Sequence, residues 1–562
     1  MSRFGKSFKR LLLGAFFVFA FGIGGAQAGP RPAIASAHPL ATAAGMEILR
    51  RGGNAFDAAV AVSAALAVVE PYSSGLGGGG FWLLHRASDG FEVMIDGREK
   101  APLAARADMY LDEAGELVPR ASIDGPLAAG IPGEPAALAH IARRYGRLPL
   151  KVTLAPAIRL AEQGFAVDEI YRRLLGFRRA AIEASPAAAA VFLPAGRIPA
   201  TGDRIVQRDL AATLRRLAAE GRAGFYEGEI AARLVEAVRK NGGIWRLDDL
   251  RQYRIVERRP VVGDYRGMKV VAAALPSSGG IVLMEMLNLL EDYHLDEMEA
   301  VARVHHIVEA MRRAYRDRAE YLGDGDFVEV PQAMLLDKRY AAGLRQSINP
   351  DKATPSAMLA PTVTRDGVGR HTTHFSIVDA DGNRVAATLS INYPFGSGFV
   401  ADGTGVLLND EMDDFAARPG TPNVYGLVGA RANAIEPGKR MLSSMTPVFL
   451  ETDDRIAVLG TPGGSRIITM VLLAALAFER SASAEEIVAM PRFHHQYLPD
   501  RIEVEPGALS AAVMRGLEKK GHRIERLARD YGNMQIVIVD RRSGKTEAAS
   551  DPRGIGEPAV LH

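Results

Sequence analysis

The sequence predicts an α+β fold, and three observations carry that expectation. Apolar residues recur at helical spacing through much of the first two-thirds of the chain. An alternating strand, a polar turn and a return strand follow from Thr372 to Asn392. The chain has 562 residues, 48% hydrophobic and 24% charged, which is ordinary globular composition with ample length for a layered core. Length alone allows roughly three or four domains, but no long linker and no repeat period divides the chain.

Met1 to Ala28 is expected to lie outside the fold. Arg3, Lys6, Lys9 and Arg10 form a basic head, Leu11 to Gly25 an apolar run, and Ala26-Gln27-Ala28 a small-x-small cleavage site. That is the pattern of a secretory signal peptide, and the run is shorter than an uncleaved membrane anchor needs. Four basic and no acidic residues leave with it, taking the formal charge from +2 to −2. The basicity is therefore a targeting device and gives no reason to expect nucleic acid or stable membrane association. The absence of cysteine excludes disulfides and a thiolate nucleophile. A periplasmic or secreted bacterial location fits these features.

Pro39 to Arg51 reads as a helix stopped by Gly52-Gly53. Asn54 caps a second helix, Ala55 to Val69, which is apolar nearly all round and so expected to be buried. Glu70-Pro71 ends it. Gly77 to Gly80 then leads into a strand near Phe81 to His85, and the glycines let backbone approach backbone or ligand closely. The run lacks the Lys-Ser/Thr ending of a phosphate-binding loop. Ala137 to Tyr145, Leu154 to Gln163 (with Pro156 in its first turn) and Ile230 to Asn241 show helical spacing. Val301 to Tyr321 is a long helix with a strongly charged face. Its His305, His306 and Glu309 read as a solvated or interface face rather than a metal site, because no further ligand cluster accompanies them. Asn349 to Arg370 reads as a mobile loop.

From Thr372 the period becomes two. Thr373, Phe375 and Ile377 alternate with His374, Ser376 and Val378, and Asp379 to Asn383 forms the turn. A hairpin centred on Asp381 sets Ser390 opposite Thr372, where facing Cβ atoms lie about 4.5–5.5 Å apart. The serine hydroxyl is then placed to bond the threonine hydroxyl. Further on, Arg455 to Gly460 reads as a strand and Arg466 to Ala477 as a helix. Gly463-Gly464 lie between them, where free N–H groups favour negative charge.

The ordered set Thr372-Thr373-His374, Asn409-Asp410-Glu411-Met412-Asp413-Asp414, Ser443-Ser444-Met445 and Gly460-Thr461-Pro462-Gly463-Gly464 supplies four things. They are a hydroxyl nucleophile, carboxylates for an ammonium, hydroxyls for a carboxylate, and a pair of backbone donors. Together they look like an acyl-transfer site for an amino-acid-like substrate. The set resembles the gamma-glutamyltranspeptidase family of N-terminal-nucleophile hydrolases. Gly77-Gly78-Gly79-Gly80-Phe81, Asp96-Gly97-Arg98-Glu99, Pro276-Ser277-Ser278-Gly279-Gly280, Phe493-His494-His495-Gln496 and Ala549-Ser550-Asp551-Pro552-Arg553 extend the resemblance over nearly all of the chain after about residue 30.

The resemblance implies a four-layer αββα sandwich and γ-glutamyl transfer from glutathione or related compounds to water, amino acids or dipeptides. It matches Arg98, Ser443 and Ser444 to binding of an α-carboxylate, and Asn392, Glu411 and Asp414 to binding of an α-ammonium. Tyr425, in Pro422 to Gly429, matches a lid. Three positions depart from the common pattern: Ser390 for threonine, Asp410 for asparagine and Met441 for proline. Asp410 is expected to add negative charge beside the ammonium site. His494, His495 and Asp551-Pro552-Arg553 read as packing. No cofactor or metal is implied.

Autocatalytic cleavage is expected between His371 and Thr372, giving a large chain (29–371) and a small catalytic chain (372–562) that stay associated as a heterodimer. A terminal threonine gains an α-amine of reference pKa about 7.7–8.0, able to take its own hydroxyl proton. Gly463 and Gly464 would hold the oxyanion. The alternatives are a cephalosporin- or glutaryl-type acylase of the same family and a non-catalytic periplasmic protein that binds γ-glutamyl compounds.

Overall fold

The computed structural model describes residues 29–359, 372–418, 420–423 and 425–561. The expected signal peptide, and His371 before the expected cut, lie outside the described residues. In chain order the strands of the two main sheets are β1 (Ala33–Ser36), β2 (Gly79–Arg86), β3 (Phe91–Gly97), β4 (Val256–Arg258), β5 (Val261–Tyr265), β6 (Met268–Ala272), β7 (Thr373–Val378), β8 (Arg384–Ser390), β9 (Val448–Glu451), β10 (Arg455–Gly460), β11 (Gln535–Asp540), β12 (Thr546–Ser550) and β13 (Ala559–Val560). The first sheet has the order β13-β1-β7-β8-β2-β3-β4 and the second β12-β11-β10-β9-β6-β5. All neighbours pair antiparallel.

The helices that matter for the site are α1 (Pro39–Arg50), α2 (Ala55–Val69), α3 (Glu134–Arg144), α4 (Ala155–Gln163), α5 (Gly228–Lys240), α6 (Gly279–Leu290), α7 (Ala300–Tyr321) and α8 (Ile467–Glu479). α1 and α2 cover the outer face of the first sheet, and α6 and α8 that of the second, while β7 and β8 face β10 and β11 across the middle. This is the expected αββα sandwich. α2 has the expected limits and a capping box between Asn54 and Asp57, and every one of its residues is buried. It can be apolar all round because α3 and α4 close over the side away from the sheet.

The two-residue period of β7 sorts its side chains between the layers. Phe375 and Ile377 join the core under α2. His374 and Ser376 point to the second sheet, where Ser376 Oγ donates to the Gln535 carbonyl at 3.1 Å. His374 is wedged against β10 so closely that a Cβ on Gly460 would lie 2.3 Å from its ring. Burial pushes its imidazole down to about 3, so it is neutral. It bonds the Thr388 and Ser376 hydroxyls through its two nitrogens.

One expectation is corrected on α7: its charged face is not solvated. His305, His306, Glu309, Arg312 and Arg313 are buried. Glu309 accepts from Arg313 Nη1 at 2.5 Å and Arg312 Nε at 3.2 Å. The two arginines then reach Ser347, Thr354 and Ser356. Buried charge persists here because each guanidinium meets a carboxylate and further acceptors, which a helical pattern cannot reveal. The start of the expected mobile loop is thereby fastened, with a 3₁₀ turn at Ser356–Met358. Its remainder, 360–370, falls outside the described residues.

Gly460→Ala is expected to overpack the contact with His374 and cost about 1–3 kcal/mol. Thermal unfolding should show a lowered Tm. An unchanged Tm would mean that the ring can move aside.

Candidate active site

The hairpin register is the expected one: Leu389 pairs with Thr373 and Thr388 with His374. Continued one step, it sets Ser390 opposite Thr372. Both line one cleft at the open end of the hairpin. Arg98, Asn392, Glu411, Asp414, Tyr425, Ser443, Ser444 and Gly464 share its wall. Of the residues singled out from the sequence, Gly463 alone sits one step behind the lining, at the entry to the 3₁₀ turn Gly464–Arg466 that leads into α8. The glycine run 77–80 serves backbone packing. A Cβ on Gly78 would lie 2.2 Å from the Ser390 carbonyl oxygen and one on Gly77 2.0 Å from that of Leu407.

Arg98, fully buried at the end of β3, is the electrostatic centre. Its guanidinium donates to Glu411 at 2.6 Å, to Asp414 at 2.5 Å and to Glu99 at 3.3 Å. The groups matched to opposite ends of an amino acid thus bond each other directly. One cation among three carboxylates cannot keep all three ionised cheaply. Burial raises Glu411 to about 7, with Asp414 adding repulsion and Arg98 and the Ser390 hydroxyl opposing the shift. Burial, then the Glu411 charge, pushes Glu99 well up. The cluster therefore holds protons near neutrality.

Ser443 and Ser444 are set by the 276–280 loop, which the sequence left without a role. Ser443 N–H donates to the Pro276 carbonyl at 2.9 Å, and Ser278 donates to the Ser443 carbonyl from its N–H at 2.8 Å and its hydroxyl at 2.7 Å. Behind them lies Arg318 of α7, also missed. It donates to Ser444 Oγ at 3.1 Å and Ser278 Oγ at 2.9 Å. A buried guanidinium behind two hydroxyls gives this end of the cleft positive character. The only sequence signal for it was its place in the charged pattern of 301–321.

Tyr425 lies across the glycines. Its hydroxyl donates to the Asn392 carbonyl at 2.8 Å, and Gln496 Nε2 donates to its carbonyl at 3.2 Å. Gly464 has φ +56°, and a Cβ there would sit 2.5 Å from the Tyr425 ring. The glycine is required twice, by its backbone and by the Tyr425 ring. Asn392 itself has φ +71°, and its N–H donates to Ser390 Oγ at 2.8 Å. Leu427, Met445 and Ile467 give the cleft an apolar wall, a role the sequence analysis assigned to none of them.

Asp410 weakens an expectation. It is fully buried, and its carboxyl accepts the Tyr393 N–H at 2.9 Å. Burial raises its carboxyl well above the usual carboxylate range, which disfavours the negative charge expected of it. His494 and His495 are buried as expected of packing residues, bonding Thr469 and Asp500 respectively. Arg492 Nη2 donates to Asp551 at 2.5 Å.

Two groups of potential metal ligands occur among the described residues. His305, Glu309 and His522 come together because His522 reaches α7 from far along the chain. The ring nitrogens are engaged, His305 Nδ1 with His522 Nε2 at 2.8 Å and His305 Nε2 with the Asn349 carbonyl at 2.8 Å. Arg312 and Arg313 flank Glu309 and repel a further cation. His85, Glu92 and Glu451 are likewise met by Lys269 and Arg384.

A family model described as gamma-glutamyltranspeptidase matches residues 41–561. The chain belongs to the gamma-glutamyltranspeptidase family. It is 45% identical over 524 residues to the glutathione hydrolase proenzyme of Pseudomonas sp. (strain A14), covering 92% of this chain and 91% of that one. It is 42% identical over 535 residues to the glutathione hydrolase proenzyme of Escherichia coli (strain K12), covering 93% and 90%. Among solved structures, the cephalosporin acylase from Bacillus halodurans superposes with a TM-score of 0.83 at 28% identity, covering 95% of this chain and 96% of that one.

Gly464→Ala is expected to lift the Tyr425 ring. Hydrogen–deuterium exchange should rise at residues 425–428 with little change in β7 and β8. Unaltered exchange at 425–428 would count against the ring contact as the support of this segment.

Proposed function

We propose that this chain is an enzyme that transfers a γ-glutamyl group from glutathione and other γ-glutamyl compounds to water, or to amino acids and dipeptides. The reaction runs through an ester on Thr372. The observation that carries this reading is the pairing, in one cleft, of the Thr372 and Ser390 hydroxyls with the Arg98–Glu411–Asp414 cluster. A γ-glutamyl donor has an α-carboxylate and an α-ammonium at one end and a scissile amide at the other. Its carboxylate is read by Arg98, Ser443 and Ser444, and Arg318 adds positive potential from behind. Its ammonium is read by Glu411, Asp414 and Asn392. A zwitterion brings one charge of each sign, so it can join an ion-paired cluster without changing the net buried charge.

Maturation comes first. The Thr372 hydroxyl attacks the His371 carbonyl, the acyl group moves from nitrogen to oxygen, and water hydrolyses the ester, leaving the free α-amine of Thr372. In turnover that amine takes the hydroxyl proton as Oγ attacks the γ-carbonyl. N–H groups around Gly463 and Gly464 receive the oxyanion. The leaving amine takes the proton, and the cysteinylglycine or amine departs. Water or an amino acid then repeats the attack on the ester and restores Thr372. Ser390, held by the Asn392 N–H and the Glu411 carboxylate, orients the threonine hydroxyl. The two chains remain a heterodimer, and residues 1–28 direct export to the periplasm or beyond. No helix among the described residues is long and apolar enough to cross a membrane.

The likeness to a cephalosporin acylase keeps a second reading in view. A glutaryl or adipyl side chain carries no ammonium, and Glu411 and Asp414 would then have nothing to bind. Comparing hydrolysis of a γ-glutamyl anilide with that of glutaryl and adipyl amides separates the two, and preference for the γ-glutamyl anilide is expected.

Thr372→Ala should abolish both maturation and turnover. Intact-mass analysis of the unaltered protein should find a chain beginning at Thr372. A fully active preparation with residues 371 and 372 still joined would remove the mechanism.

The Glu411 carboxyl gives a pH dependence. Its pKa is raised, so below about 7 it takes up a proton and loses its attraction for an ammonium. The Kd of a non-reacting γ-glutamyl analogue is therefore expected to weaken as pH falls through 7. Glu411→Gln should flatten that dependence, and titration of both proteins by calorimetry checks it.

A further inference from the structure

The turn at residues 70–74, at the C-terminal end of α2, touches both strands of the catalytic hairpin at its open end. Thr373 Oγ1 donates to Glu70 Oε2 at 2.7 Å. Ile391, the residue between Ser390 and Asn392, donates its N–H to the Ser73 carbonyl at 3.3 Å. The turn is closed on itself, because the Ser73 and Ser74 N–H groups donate to the Glu70 carbonyl at 2.8 and 3.1 Å. Tyr72 OH donates to Glu70 Oε1 at 3.2 Å, so both carboxyl oxygens are engaged. Glu70, Tyr72, Ser73 and Thr373 are all buried.

The strand period gives this contact its leverage. Thr372 points into the cleft, so Thr373 points the other way, into the helical layer. The β1 ladder stops at Ser36 opposite Phe375, and Thr373 is laddered on the β8 side alone. A cut before Thr372 would leave this half-paired residue next to a free chain end. Ends of that kind fray unless tied down. Glu70 supplies the tie on the side that β1 leaves open.

We propose that Glu70 is a positioning residue for γ-glutamyl transfer: it grips Thr373 from behind while Ser73 holds the far strand, and so fixes Thr372 against Ser390. This rests on Thr372 being the nucleophile. Glu70 touches no substrate and takes no proton from it. Its ionisation nevertheless bears on the reaction. Burial raises the Glu70 carboxyl to about 7, against the Thr373 and Tyr72 hydroxyl bonds and with a small push from Asp168. Tyr72 and Asp168 act on it directly, and Tyr171 stands against Tyr72. A negative charge at Glu70 favours the ammonium form of the nearby Thr372 terminus.

The test measures kcat and KM for a γ-glutamyl anilide per matured chain, with maturation counted by intact mass. Glu70→Ala and Thr373→Val are each expected to lose roughly tenfold or more in kcat, with KM little changed. Thr373→Ser, which keeps the hydroxyl, should recover most of the rate. The double variant should be no worse than either single one, because both break one contact. Glu70→Gln keeps an acceptor for Thr373, so it should exceed Glu70→Ala in kcat and move the acid limb of kcat/KM to lower pH. Full kcat in Thr373→Val, multiplying losses in the double variant, or a change confined to KM would overturn the proposal. Should Glu70→Ala fail to fold, the Thr373→Val and Thr373→Ser pair decides by itself. Turnover surviving in Thr372→Ala would instead sink the nucleophile assignment. Inert Thr372→Ala with an unimpaired Glu70 series would remove the positioning role alone.

Discussion

The alignment of β7 with β8 is the constraint from which the site follows. A slip of one residue would send Thr372 into the helical layer and Thr373 into the cleft, because successive side chains take opposite faces. Several features prevent it. The Asp379 carboxylate fixes the turn through the Asp381 and Asn383 N–H groups. Phe375 and Ile377 must remain under α2, and His374 fits a space that only a glycine at 460 leaves. On the other edge β2 presses against the end of β8 through glycines, so Ser390 is held as firmly as its partner. The Thr372–Ser390 pair is thus placed by packing far from it.

Electrostatics then gives the cleft its polarity. Buried charge is tolerated when each charge has a partner, and this chain concentrates such partners around Arg98 and on α7. The two clusters differ in one respect. Glu309 lies between two guanidiniums, which hold its carboxyl down to about 2, so it stays ionised. At Arg98 burial lifts Glu411 toward neutrality, and one cation shared among three carboxylates does not hold it down. The first arrangement suits a fixed strut. The second can rearrange its partners at small cost, as a recognition site needs.

Local features were the most legible in the sequence. The limits of α2, its Asn54 cap and the hairpin register depend on neighbours along the chain, and each came out as read. The family motifs brought the cleft residues together, since the order of short motifs survives when the intervening chain does not. What could not be read were partners across the fold. The charged face of α7 read as solvated or interface because its partners Ser347, Thr354 and Ser356 lie outside the helix. Asp410 read as an added charge, and the burial that disfavours that charge is set by the surrounding layers. Arg318 was one more cation in a basic helix until the 276–280 loop placed Ser444 beside it. Leu427, Met445 and Ile467 are ordinary apolar residues whose common wall exists only in three dimensions.

The strand order has a consequence for what a cut before Thr372 would do. β1 to β6 precede that point and β7 to β13 follow it, yet in the first sheet β1 lies between β13 and β7, and β8 lies beside β2. The two segments are woven through one hydrogen-bonded surface, so neither can leave without dismantling it. Severing the backbone would make unfolding a dissociation and refolding a second-order encounter between two fragments, each lacking strands the other holds. Such a molecule would be assembled once, as a single thread, and its recovery after denaturation would depend on concentration in a way that its first folding never did.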